Sequence, residues 1–158
     1  MPVIKCPNGK YKWGENGKCL YETYEQARNA GIAIEIAKHK KLAQLISQET
    51  FTDYPVQAIQ NARKVLEMRK DFGNEVAGVT KASMLRANLI ATKQRLSYET
   101  VKRMAQFSRF SSEAEINPEF KDTPHKDSGY TIWLTWGGTE GINWAKKKIE
   151  HLDKESEK

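Results

Sequence analysis

The chain has 158 residues, of which 39% are hydrophobic and 29% charged, and its formal net charge is +6. That length buries a core without metals or cross-links. No apolar run approaches the ~18–20 residues that span a bilayer, so no membrane partner is expected. The start, Met1-Pro2-Val3-Ile4-Lys5-Cys6, lacks the apolar stretch of a secretory signal. The expected compartment is the cytoplasm, or a particle assembled there.

The first segment, Val3 to Tyr21, reads as two short strands turning at Asn16-Gly17, because Asn-Gly supplies the positive φ of a tight hairpin. A lone hairpin is marginal in water, so Tyr11, Trp13 and Tyr21 are expected to lean on something. Thr23 opens a helix, with Gln26 three residues on as in a capping box. The helix runs to about Ile46, and Gly31 within it costs about 1 kcal/mol against alanine. Ile32 to Ile36 also fits a period of two, but the cap and the alanines favour helix.

Asp53-Tyr54-Pro55 starts a second helix, with proline at its first position. Val56, Ile59, Ala62 and Leu66 would line its inner face, and Gly73 would stop it. Thr80 caps a third helix through Leu85 and Leu89, and Ser97 caps a fourth with Val101, Met104, Ala105 and Ser108 inward. Ser111 to Asp127 is polar, holds Pro118 and Pro124, and reads as a long loop. Tyr130 to Trp136 is an apolar run of ambiguous type, broken by Gly137-Gly138. A last helix spans about Thr139 to Leu152, leaving a frayed tail at 153–158. The expected fold is mainly α: a small orthogonal helical bundle with an N-terminal β-hairpin. Its parts are a hairpin appendage over 1–22 and a helical domain over 23–152. Trp133, Trp136 and Trp144 are its expected core aromatics, with Trp136 and Trp144 packed together across the glycines.

Charge is unevenly placed. Between Thr80 and Phe110 stand Lys81, Arg86, Lys93, Arg95, Lys102, Arg103 and Arg109 against a single acid, Glu99. This stretch alone carries a net +6, and the rest of the chain sums to zero. These seven are the candidate nucleic-acid-binding residues, DNA or another polyanion being the partner such a surface suits; a merely solvated basic face is the plainer alternative. Leu96-Ser97 with Thr100, Lys102 and Arg103 is also similar to the second half of a helix-turn-helix. Arg95 stands where the turn glycine belongs, which favours sequence-independent phosphate contact instead.

Nothing points to catalysis. There is no Gly-x-Ser-x-Gly elbow, and neither cysteine has a neighbouring base. His39, His125 and His151 are scattered. Glu35 with His39 makes half a metal site at best, and Asp122, His125 and Asp127 share a polar loop. No metal or cofactor is expected. Gly137-Gly138 before a helix offers N–H groups to a phosphate, but a sharp turn for packing explains them more simply. Cys6 and Cys19 could bridge the hairpin; a reducing cytoplasm favours two partly buried free thiols.

Tyr54-Pro55, Arg86-Ala87-Asn88-Leu89, Leu96-Ser97, Thr100-Val101-Lys102-Arg103-Met104, Trp136-Gly137-Gly138 and Trp144-Ala145 follow one another in order. Over roughly Tyr54 to Leu152 the chain resembles a helical module of tailed-bacteriophage proteins, found alone or attached to head-maturation and other head-gene products. The hairpin, with Gly9-Lys10-Tyr11 and Gly17-Lys18-Cys19, resembles a short appendage on phage proteins. Similar sequences often carry cysteines near Glu75 and Ser128 and a histidine at Phe110, so no metal or thiol role transfers here. The resemblance implies a virion- or head-associated structural protein, located in the virion or host cytoplasm. Its partners would be phage virion proteins, and it would act by contact. A stand-alone nucleic-acid-binding accessory protein made during infection is the alternative.

Overall fold

The computed structural model describes residues 2–158, apart from the side chains of residues 46 and 47. The protein is mainly α-helical with a small N-terminal β-hairpin. Its contacts divide it into two units, Met1–Leu45 and Ile46–Ser156. The first helix therefore groups with the hairpin, and the boundary falls well beyond residue 22.

In the first unit, β1 (Val3–Lys5) pairs antiparallel with β2 (Tyr11–Trp13) in the register Val3↔Trp13. The hairpin turn is thus Cys6-Pro7-Asn8-Gly9, not Asn16-Gly17. Gly9 supplies the positive φ of 82°, and its N–H donates to Cys6 O at 3.0 Å. Gly17 has no positive φ; its loop only brings Tyr21 back to a single bridge with Tyr11. Cys6 and Cys19 are joined in a disulfide, contrary to the expectation of free thiols. The two Cα atoms lie 6.1 Å apart, within reach of a bridge because the turn folds both ends of the loop together.

Helix α1 (Tyr24–Ser47) starts as its capping residues require: Gln26 N–H donates to Thr23 Oγ1 at 3.2 Å, and Glu22 N–H donates to Gln26 Oε1 at 3.1 Å. Gly31 is buried in it, directly beneath the Trp13 indole; a Cβ there would fall inside the ring. The glycine is the space into which the hairpin packs.

The second unit is built around α2 (Val56–Phe72). It packs on α3 (Lys81–Ala91), α5 (Ser128–Thr135) and α6 (Gly138–Ser156), while α4 (Tyr98–Gln106) packs on α6. Pro55 is the residue before α2, and the buried face is Ala58, Ile59, Asn61, Ala62 and Val65. Val56 lies on the solvent side at 66% exposure, one position off the expected stripe. Gly73 ends the helix at φ 55°, as read. Two short strands, β3 (Thr50–Phe51) and β4 (Leu96–Ser97), pair antiparallel and seat Leu96 in the core.

The polar stretch is not a free loop. It coils into 3-10 turns at Phe107–Ala114, Pro118–Phe120 and Pro124–Lys126, two of them opened by proline. The ambiguous apolar run is helix α5, capped by the buried Asp127, which accepts from Tyr130 N–H at 3.1 Å and from Asn117 N–H at 2.8 Å. Helix α6 continues to Ser156, through most of the expected tail.

Gly137 and Gly138 both adopt positive φ, and α2 fills the space beside them. Ala58 Cβ would stand 3.2 Å from a Cβ on Gly137 or Gly141, and the Asn61 amide occupies the place of one on Gly138. Asn61 Nδ2 donates to Gly137 O at 3.0 Å and to Glu140 Oε2 at 2.8 Å. The glycines serve a close helix crossing, in which α2 covers Gly138 and Gly141. They do not bring Trp136 to Trp144. Trp144 stacks edge-on to Tyr54 at 5.6 Å, and Trp136 lies 5.5 Å from Phe107. Of the three expected core aromatics, only Trp133 is buried, at 3%; the other two are half-buried.

Candidate functional site: a basic and aromatic shelf

The seven basic candidates sit on or beside α3 and α4, whose ends are locally encoded. Thr80 and Ser83 exchange side-chain to backbone hydrogen bonds at the start of α3 (3.1 and 2.7 Å). Its end is a Schellman closure: Gln94 N–H donates to Leu89 O and Lys93 N–H to Ile90 O, with Lys93 left-handed at φ 54°. Lys93 therefore occupies the position that a glycine usually takes, two residues before Arg95. Ser97 caps α4, accepting from Thr100 N–H at 3.2 Å. Val101 and Met104 are buried, which turns Lys102 and Arg103 to solvent.

The helix-turn-helix likeness does not survive in three dimensions. That motif needs its two helices packed together, whereas α3 packs on α2 and α5, and α4 packs on α6.

Two of the seven cations, Arg86 and Arg109, lie over aromatic rings. The Arg86 guanidinium lies 3.3 Å above the Trp136 ring centroid. It also donates from Nη2 to Thr135 Oγ1 at 3.0 Å. Burial, and then the charge of Arg103 nearby, lower its pKa to about 10, still far above neutrality, so the group stays charged. Phe107 joins the stack, 5.5 Å from Trp136, 5.9 Å from Trp133 and 5.0 Å from Phe110. Arg109 lies over Phe110 at 4.8 Å, and Phe110 is 40% exposed. Arg103 makes only an exposed ion pair with Glu99, at 3.3 Å. Such a pair is worth little and yields readily to a competing anion.

The result is a shelf with a fixed floor, Arg86 on Trp136, an exposed edge of Arg109 on Phe110, and Arg103 as a further exposed cation close enough to act on Arg86. Lys81, Lys93, Arg95 and Lys102 are exposed without entering this stack. Lys81 instead borders an open groove of about 580 Å³ between α2 and α3, with Leu66, Arg69, Val79, Met84 and Leu85. Sequence reading singled out the cations and missed Phe107 and Phe110. Their signal was present: two aromatics three apart on one helical face, with Arg109 between them.

His125 is buried with its ring stacked on Phe72 at 3.7 Å, and its Nε2 lies 4.0 Å from Glu75. Asp127 is spent on helix capping, and Asp122 is exposed. Among the described residues no cluster of three or more His, Cys, Asp or Glu side chains is placed to hold a metal. No described helix is long and apolar enough to cross a membrane. Comparison with family models, with curated proteins and with solved structures finds no match for this chain.

Proposed function

We propose that the protein is a virion- or head-associated protein of a tailed bacteriophage that acts by contact, with its basic shelf turned to nucleic acid. The observation that carries the nucleic-acid part is the shelf: Arg109 exposed over Phe110, and Arg86 held charged on Trp136 with the exposed Arg103 nearby. Exposed guanidinium groups beside an aromatic ring, with a third held charged on Trp136, suit phosphate contact. The ordered pieces from Tyr54-Pro55 to Trp144-Ala145 support the phage assignment. Tyr54 and Asn61 hold this unit together through its turns, which fits a scaffold whose business is its surface.

The test is twofold. Mass spectrometry of purified particles from a phage encoding this chain should find it in stoichiometric amount, and repeated absence refutes the virion assignment. Titration of a labelled oligonucleotide at ~50 and ~200 mM salt should show affinity falling steeply with salt as counterions are released. Presence of binding together with absence from particles selects the stand-alone accessory protein, which would use the same shelf.

A further inference from the structure

We infer that the shelf takes single-stranded nucleic acid, by stacking an unpaired base on Phe110 while Arg103 and Arg109 hold the flanking phosphates. The inference rests on the proposed nucleic-acid contact and narrows it to a substrate class.

A duplex surface presents phosphates and groove edges, and its base faces are hidden in the stack. A protein that reads duplex DNA offers a projecting helix or ribbon to a groove. Here α3 and α4 each spend a face on different neighbours, α2 with α5 and α6 respectively, and no packed reading pair is formed. The shelf offers an aromatic ring at a basic edge instead, the combination that single-strand binders use.

The rings are not equivalent. Trp136 has Arg86 over its face and Phe107 beside it, and it is half-buried, so it acts as floor. Phe107 is half-buried and enclosed by Trp133, Trp136 and Phe110. Phe110 alone of the group is exposed, at 40%, and it sits at a kink of the 3-10 turn, with φ −100° and ψ 34°, which carries it out of the helical path. Arg109 covers it through a cation–π contact at 4.8 Å, on an exposed side chain. An incoming base replaces that contact with stacking, and the freed guanidinium meets the adjacent phosphate. Arg103, in an exposed ion pair with Glu99 and near enough to Arg86 to lower its pKa, supplies the second guanidinium.

The experiment measures fluorescence anisotropy of a labelled ~20-residue oligo-dT and a ~20-base-pair duplex, titrated with the full chain and with three variants. The wild type should bind oligo-dT at least about tenfold more tightly than the duplex. Phe110→Ala should weaken oligo-dT binding about tenfold and leave duplex binding and the salt slope nearly unchanged. Phe110→Trp should restore it. Arg103→Glu with Arg109→Glu should abolish binding to both, with circular dichroism unchanged. Equal affinity for the two nucleic acids, with Phe110→Ala indistinguishable from wild type, overturns the stacking inference and leaves backbone contact standing. No binding to either overturns the nucleic-acid reading and this inference with it.

Discussion

Gly31→Ala sets helix propensity against packing. Propensity alone favours alanine inside α1 by about 1 kcal/mol. The structure reverses the sign, because the new methyl would occupy the space of the Trp13 indole. Carbon–carbon contact needs ~3.5–4.0 Å, so the ring must withdraw by about 2 Å or rotate off the helix. Overpacking of this kind costs about 1–3 kcal/mol. Taking the upper part of that range against the propensity gain leaves a net loss of about 1–2 kcal/mol. Amide hydrogen exchange reads it locally: α1 amides around Ala27 to Glu35 should exchange roughly 5–30-fold faster. The decisive control is the double-mutant cycle. In a Trp13→Ala background Gly31→Ala should become stabilising, since only propensity remains. The same sign in both backgrounds would refute the reasoning.

Lys93→Gly should raise stability by about 1 kcal/mol in urea unfolding, because a side chain now sits at φ 54° where glycine is unstrained. Tyr54→Phe should cost about 1 kcal/mol at neutral pH by removing the 2.7 Å hydrogen bond to Gln94 O. Burial pushes the Tyr54 hydroxyl from 10.0 up to about 12. Its contribution is therefore whole below pH 10.0 and is lost as pH rises from there through about 12, so the variant should flatten that alkaline limb in melts taken across the range. Reduction of the disulfide, whose cysteines are 13 apart in sequence, should destabilise the hairpin by about 3 kcal/mol, read as faster exchange of the Tyr11 and Trp13 amides.

What was legible in the sequence acts over three or four residues. Thr23, Thr80 and Ser97 cap helices where they were expected to, since a capping oxygen needs only the next turn of backbone. The hairpin was misplaced because two Asn-Gly pairs compete, Asn8-Gly9 and Asn16-Gly17. The first is the hairpin turn in the fold. It sits with the Cys6–Cys19 bond and with Trp13 on Gly31, contacts that local patterning does not contain. The same distance effect hid the shelf. Arg86 meets Trp136 and Thr135 across about 50 positions, so its charge was readable while its anchoring was not. Trp136 and Trp144 read as core because they are large and apolar; in the fold they are half-buried, against Phe107 and Tyr54.

The proposed contact surface for nucleic acid is the shelf. Its most direct test compares salt-dependent binding of labelled oligo-dT by the wild type and by Arg103→Glu with Arg109→Glu. Steep salt dependence is expected for the wild type and no measurable binding for the variant, with the fold retained. Equal binding by both proteins would contradict it and move the contact surface elsewhere.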